Sequence, residues 1–131
     1  MFSHIMIGAN DVSIMVAFYD VVLSTLGLVR DPHEPANSPA GHIWQRGGER
    51  WPQFALRRPF DGRAATAGNG VQISFAAATR QDVRTAWRTA INNGGTDEGE
   101  PGLRPQYNED FFAAYCRDPE GNKLCFVHAG D

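Results

Sequence analysis

The segment FSHIMIGANDVSIMVAFYDVVLSTLG (residues 2–27) contains the pattern that decides the fold. Its first eight residues alternate, so that every second side chain points to the same side, which predicts a strand. Apolar residues then recur every three or four positions over residues 12–26, which predicts a helix. Asn10 or Asp11 can cap the start of this helix, and Gly27 can end it in a left-handed conformation.

A second segment, VQISFAAATRQDVRTAWRTAINNGG (residues 71–95), repeats this pattern. When the two segments are aligned without a gap, Gln72 falls on His4 and Gly95 falls on Gly27. Further short strand patterns follow the helix in both halves. Because the same order of elements occurs twice, the chain is predicted to contain two copies of one βαβββ unit.

The rest of the chain completes the two copies. Strands are predicted over residues 28–31, 42–46 and 53–57 in the first half, and a hairpin around a PEGN turn over residues 111–128 in the second. Residues 96–110 are predicted as a loop. We therefore expect an α+β fold with helices outside two curved mixed sheets that surround a cup-shaped pocket. The predicted organisation is a single domain over residues 1–131, with modules at 1–58 and 70–131 and a linker at 59–69.

The strand alternation predicts which side chains line the cup. The Ile and Val side of each first strand should pack against the helices, so His4 and Gln72 should point into the cavity. Ala55 and Cys125 take matching places in the last strand of each half. Since concave pockets of this type are the usual place for a small ligand, we expect a small-molecule site there.

The composition restricts the possible partners and the compartment. A net charge of −3 gives no surplus of Lys and Arg for nucleic-acid binding. No apolar run approaches the ~18 residues of a membrane span, and the N-terminus lacks the features of a signal peptide. We therefore expect a cytoplasmic protein without nucleic-acid or membrane partners, whose two cysteines are reduced.

Three segments, residues 4–28, residues 68–95 and YCRDPEGNKLCFV (residues 115–127), follow one another over nearly the whole chain. Together they resemble the vicinal oxygen chelate superfamily, which includes glyoxalases, bleomycin-resistance proteins, fosfomycin-resistance transferases and extradiol dioxygenases. The order and spacing of the segments are typical of the fold. They indicate much less about function, because this fold hosts several chemistries.

For enzymes of this family the resemblance implies a divalent metal that chelates two neighbouring substrate oxygens. His4 matches the first ligand position, and Gln72 stands where His is usual. Ala55 and Cys125 stand where the glyoxalase branch and most metal-dependent members have Glu. Because two carboxylates are missing, a hard cation such as Mg²⁺ or Mn²⁺ would be poorly bound. This set favours no metal cofactor, with one Zn, Ni or Fe ion on His4 as the alternative.

Two functions stay open at this point. The first is an enzyme that resembles glyoxalase-type lyases or isomerases, or the related transferases and dioxygenases. Its catalytic residues would be His4, Gln72 and Tyr107. The second is a metal-free protein that sequesters a small molecule without catalysis, as in the bleomycin-resistance branch.

Further candidate ligand contacts lie in GLRPQYNEDFFAAY (residues 102–115), because long loops in compact domains are often functional. Arg104 could bind an anionic group as a bidentate donor, and Tyr107 could donate a hydrogen bond or a proton. Tyr115 and Trp44 could form apolar walls. The structural alternatives are a solvated loop charge for Arg104 and core packing for the two aromatic residues.

The two cysteines flank the predicted turn of the last hairpin. If PEGN closes a tight hairpin, Cys116 pairs with Cys125, and both sulfur atoms lie on one face of the sheet. A cross-strand disulfide is then conceivable, but reduced and buried thiols are expected in a cytosolic protein.

The first helix carries a second apolar flank. Ile14, Phe18 and Val21 make its apolar surface wider than a helix on a single sheet needs. Deep packing within the subunit is one explanation. A contact between subunits is the other, and it predicts a homodimer.

Overall fold

The structure is a computed structural model that describes residues 1–32 and 41–130. The elements are, in chain order, β1 (His4–Gly8), α1 (Val12–Ser24), β2 (Leu28–Arg30), β3 (His42–Arg46), β4 (Gln53–Arg57), β5 (Gln72–Ala76), α2 (Arg80–Asn92), β6 (Thr96–Leu103), β7 (Phe112–Arg117) and β8 (Lys123–His128).

The chain divides into two compact units, Met1–Thr66 and Ala67–Asp131. Within the described residues, each unit contains one helix and one four-stranded sheet, with strand orders β1-β4-β3-β2 and β5-β8-β7-β6. In both sheets the first and last strands of the unit pair in parallel, and the other neighbours pair antiparallel. The predicted α+β fold with two βαβββ modules is therefore confirmed. The shared cup and the linker at residues 59–69 stay predictions.

Helix α1 begins and ends where its local signals indicate. The Asp11 side chain accepts a hydrogen bond of 3.1 Å from the Ile14 backbone N–H, which satisfies one of the free donors at the helix start. Gly27 follows the helix with φ +78°, a conformation that a side chain would strain. Phe18 is buried on this helix, whereas Ile14 and Val21 remain substantially exposed.

Helix α2 begins in the same manner. The Thr79 hydroxyl accepts a hydrogen bond of 3.0 Å from the Asp82 backbone N–H. Within the described residues, neither α1 nor α2 is long and apolar enough to cross a membrane.

The strand registers agree with the repeat found in the sequence. Met6 pairs with Ala55 in the first sheet, and Ser74 pairs with Cys125 in the second. Ser74 is the counterpart of Met6 in the aligned first strands, and Cys125 is the counterpart of Ala55 in the last strands. Equivalent residues therefore occupy equivalent places in the two units.

The prediction of a loop over residues 96–110 is wrong for its first half. Thr96–Leu103 forms the edge strand β6, which pairs antiparallel with β7. Its register shifts twice, between Asp97 and Gly99 and between Gly99 and Gly102. These bulges break the alternation of side chains, so the strand has no period of two for the sequence to display. Its position at the edge also tolerates Pro and polar residues.

The predicted pairing of Cys116 with Cys125 is also wrong. Arg117 pairs with Lys123, so the connection contains five residues and Cys125 lies opposite Tyr115. The Asp118 carboxylate, which is 3% exposed, accepts hydrogen bonds from the backbone N–H of Glu120 and from the backbone and side chain of Asn122. These bonds stabilise the longer turn. Because neighbouring residues of a strand face opposite sides, the two thiols lie on opposite faces of the sheet.

Candidate functional site

The helix of each unit covers one face of the sheet of that unit. The opposite face, which the same helix does not cover in the described residues, is here called the helix-free face. Trp44 contacts Tyr19 of α1 and pairs with Phe54, so these residues define the helix side of the first sheet. In the second sheet, Arg84 of α2 lies over the ring of Phe112, which defines the helix side there. Alternation along the strands then places His4 and Ala55, and also Gln72 and Cys125, on the helix-free faces.

In the first unit, the helix-free face carries an exposed histidine. The Ser3 hydroxyl lies 2.9 Å from Nδ1 of His4, and the imidazole stacks on Trp51 with ring centroids 6.5 Å apart. Ala55 is buried on the same face and has no side-chain donor or acceptor. His4 is therefore available to a ligand, whereas Ala55 contributes only a small apolar contact.

Trp44 occupies the core of the first unit. Its side chain is 1% exposed, and its Nε1–H donates a hydrogen bond of 3.0 Å to Asp20 of α1. Asp20 also forms an ion pair of 3.0 Å with Arg30. Trp44 is therefore packed in the core, which is the structural alternative given for it above. Its indole lies on the helix side of the sheet, whereas Ala55 lies on the other side.

The second unit contains a hollow of about 590 Å³ beside the helix-free face of its sheet. This volume lies within the range of roughly 300–1,000 Å³ that is common for ligand pockets. We call it the second-unit hollow. The lining residues come from β5, β6, β7, β8 and the connection between β6 and β7, and all except Gly99 are polar, charged or aromatic: Gln72, Glu98, Gly99, Arg104, Gln106, Tyr107, Phe111, Tyr115 and Lys123.

Two rows of paired residues lie on the helix-free face beneath the hollow, and Gln72, Lys123 and Tyr115 of these rows line it. Gln72 lies opposite Lys123, and Ser74 lies opposite Cys125, which in turn lies opposite Tyr115. The Gln72 amide donates a hydrogen bond of 3.0 Å to the Ser74 hydroxyl, which fixes its orientation. The rows place a cation and a phenol side by side on one face of the sheet.

Arg104 and Lys123 both lie over the ring of Tyr115. The guanidinium carbon of Arg104 and the ammonium nitrogen of Lys123 are each 5.5 Å from the ring centroid. The Arg104 guanidinium also donates a hydrogen bond of 2.7 Å to the carbonyl oxygen of Glu100. Among the described residues, neither cation has a carboxylate partner.

Glu98, the one carboxylate among the described residues of the lining, is already paired. Glu98 accepts a hydrogen bond of 2.9 Å from Nε of Arg117, and the two side chains form an ion pair. Arg117 also donates to the carbonyl oxygen of Gly121 in the turn between β7 and β8. Because Arg117 balances Glu98, Arg104 and Lys123 give the hollow a positive charge.

Tyr107 and Phe111 form an aromatic wall on the connection between β6 and β7. Their ring centroids are 5.2 Å apart in an edge-to-face arrangement. Tyr107 is 66% exposed, so its ring offers apolar surface that no other part of the described chain covers.

Burial determines the protonation of the Tyr115 phenol and the Cys125 thiol. Desolvation, with a contribution from the neighbouring Cys125, raises the pKa of the Tyr115 phenol, and Arg104 opposes this only in part. Desolvation likewise raises the pKa of Cys125, although hydrogen bonds from Ser74 and Tyr115 act in the opposite direction. At neutral pH both groups are therefore protonated, and the Cys125 thiol, 1% exposed, is not a nucleophile.

The residues at the four family positions do not fit a divalent metal. Ala55 has no donor atom, the Cys125 sulfur is 1% exposed, and the Gln72 side chain, whose NH2 donates to Ser74, offers only a neutral carbonyl oxygen. His4 alone among the four is both exposed and a strong donor. Over residues 1–32 and 41–130, no group of three or more His, Cys, Asp or Glu side chains is placed to hold a metal ion.

The structure brings together four of the predicted site residues in the second unit: Gln72, Arg104, Tyr107 and Tyr115. Cys125 lies on the same face beneath them, without lining the hollow. His4, Trp44 and Ala55 belong to the first unit.

Sequence reasoning missed Lys123, Phe111 and the pairing of Glu98. Lys123 had a usable signal, because it lies two residues before Cys125 and therefore faces the same side of the strand. The two others depend on the pairing of β6 with β7, which no local sequence pattern indicates.

Comparisons with known proteins identify the family. A family model described as the glyoxalase/bleomycin resistance protein/dioxygenase superfamily matches residues 1–126. No curated protein matches the chain. A solved glyoxalase/bleomycin resistance protein from Albidiferax ferrireducens T118 is 37% identical, with 99% of both chains covered and a TM-score of 0.82.

Two more distant structures share the fold. A glyoxalase/bleomycin resistance protein/dioxygenase family enzyme from Burkholderia phytofirmans PsJN is 21% identical, with 98% of both chains covered and a TM-score of 0.72. TioX from Micromonospora sp. ML1 is 17% identical, with 99% of both chains covered and a TM-score of 0.65. Because the family model matches nearly the whole chain, this protein belongs to the glyoxalase/bleomycin resistance protein/dioxygenase superfamily.

Proposed function

We propose that this protein binds a small molecule in the second-unit hollow and does so without a metal ion. The observation that carries the proposal is the hollow itself, where two cations and three aromatic rings converge on one face of the sheet. Convergent polar groups beside apolar walls are the usual composition of a small-molecule site.

The residues at the family's metal positions support sequestration over metal-dependent catalysis. A lyase, isomerase or dioxygenase of this family that uses a metal needs several oxygen or nitrogen donors around the ion. Here Ala55 supplies none, and Cys125 supplies a buried sulfur where a carboxylate would be needed. The function proposed is therefore that of a binding protein, with the metal-dependent enzyme as the competing outcome of the test.

The experiment is a thermal-shift measurement on the purified protein. A small-molecule library and, separately, Zn²⁺, Ni²⁺ and Fe²⁺ are added, because a ligand that binds only the folded state raises Tm by mass action. We expect at least one small molecule to raise Tm in the wild type and less so in Lys123→Glu. We expect the three metals to leave Tm unchanged.

Two outcomes contradict the proposal. If no compound raises Tm, or if those that do act equally on Lys123→Glu, the second-unit hollow is not the binding site. If the protein retains one equivalent of metal after dialysis against a chelator and His4→Ala loses it, a metal-dependent enzyme replaces the binding protein.

A further inference from the structure

The charge of the second-unit hollow determines the class of ligand it accepts. Among the described residues that line it, Arg104 and Lys123 supply two positive charges, and the one carboxylate, Glu98, is neutralised by Arg117 at 2.9 Å. A neutral ligand would leave both cations without an anionic partner in a partly desolvated place. An anionic group would form charge-assisted hydrogen bonds with them.

Arg104 is held in position before a ligand arrives. Its guanidinium donates to the carbonyl oxygens of Glu100 at 2.7 Å and Leu103 at 3.4 Å. A Cβ atom at position 99 or 102 would lie 3.2 Å or 3.0 Å from the guanidinium nitrogens, so the two glycines leave space for the side chain. Since the guanidinium has five N–H donors, several remain for a ligand.

The neighbouring aromatic residues define the rest of the ligand. Arg104 and Lys123 lie over the Tyr115 ring. Tyr107 and Phe111 form an apolar wall with an exposed edge. A flat apolar body can pack there while its charged end lies beside Tyr115.

We infer that the ligand is a small organic anion whose carboxylate or phosphate binds Arg104 and Lys123 and whose apolar body packs against Tyr107 and Phe111. This inference rests on the proposed function, because it specifies the ligand of the same hollow. Carboxylate and phosphate share the chemistry that a guanidinium and an ammonium recognise, and the experiment separates them.

The test uses three probes with one ring system and different charge. Binding of 1-naphthoate, 1-naphthyl phosphate and neutral 1-naphthamide is measured by isothermal titration calorimetry at low salt. We expect at least one anion to bind about tenfold more tightly than the amide, since each charge-assisted hydrogen bond contributes on this scale. Added salt should weaken the anions more than the amide. The better of the two anions identifies the group that the site prefers.

Matched variants locate the charge that is responsible. Arg104→Gln and Lys123→Gln should each weaken anion binding about tenfold and change amide binding less than about twofold. The control is Arg88→Gln, which removes the same charge from an exposed position on α2. It should leave all three affinities unchanged. If Arg104→Gln disturbs the fold because its carbonyl contacts are lost, Lys123→Gln alone decides the question.

Three results overturn the inference. The first is equal affinity for the amide and both anions. The second is a loss of anion binding in Arg88→Gln as large as that in Arg104→Gln and Lys123→Gln. The third is no binding of either anion at millimolar concentration. Equal binding of all three probes in the hollow would leave the proposed function intact. A thermal-shift screen that finds no ligand in the library would refute the proposed function itself, so the two failures are distinguishable.

Discussion

Cys116 should make the stability of this protein decrease at alkaline pH. The thiol is 0% exposed on the helix side of the second sheet, next to Leu124 of β8. Desolvation, with Asp118 nearby, raises its pKa from 9.0 to about 12. The protonated thiol is therefore strongly preferred in the folded state.

The sign and size of the effect follow from this shift. The unfolded chain releases the proton near its ordinary pKa, whereas the folded chain holds it until about 12. The contribution of Cys116 to stability is therefore complete below pH 9 and is lost as the pH rises to 12. At about pH 10.5, halfway along this interval, the loss is about 2 kcal/mol, because one pKa unit corresponds to about 1.4 kcal/mol.

The assay compares the wild type with Cys116→Ala by urea unfolding at about pH 8 and about pH 10.5. The other titrating groups are common to both proteins, so the difference between the two pH-dependent losses isolates Cys116. The wild type should lose about 2 kcal/mol more than the variant between the two pH values. Equal losses of stability in the two proteins would refute the burial of Cys116 on the helix side of the sheet.

Three further substitutions test other parts of the account. Asp118→Ala should lower the free energy of unfolding by about 2–3 kcal/mol, because three hydrogen bonds to a buried carboxylate are lost; a urea midpoint close to that of the wild type would contradict this. Gly99→Ala places a methyl group 3.0 Å from the Tyr115 ring and should weaken binding of a naphthyl anion several-fold by calorimetry. Its control is Gly47→Ala, where nothing lies within 4 Å. Thr79→Ala should cost about 1 kcal/mol by urea unfolding and Thr79→Ser much less; equal effects would exclude a capping role.

Local signals were sufficient to predict most of the fold. The caps of α1 and α2 consist of a side chain and a backbone N–H three residues apart, at Asp11 and Thr79. Strands β3 and β4 were predicted with the bounds they have in the structure. These features depend on neighbouring residues, which is why the sequence alone displays them.

Features set by pairing over longer distances were missed. Strand β6 is stabilised by its backbone bonds to β7, and its bulges and polar side chains leave no alternating pattern. The register of β7 and β8 depends on the five-residue turn around Asp118, and a shift of one residue moved Cys116 to the other face of the sheet.

The candidate site was predicted in part for the same reasons. Arg104, Tyr107 and Tyr115, which line the hollow, were named as candidates because they lie in a segment rich in polar and aromatic residues that was predicted as a long loop, and such loops are often functional. Lys123 was missed because the family position on its strand is Cys125, two residues later on the same face. Trp44 was left open between a ligand wall and core packing, because the sequence does not show which face of a short strand meets the helix.

Binding of a small molecule in the second-unit hollow is tested most directly by a titration of the isotope-labelled protein with 1-naphthoate, followed through backbone amide chemical shifts. We predict that the largest shifts occur at Arg104, Tyr107, Tyr115 and Lys123, and that they saturate with a single binding constant. Shifts that concentrate in residues 1–66, or the same shifts in Lys123→Gln with unchanged affinity, would contradict the account.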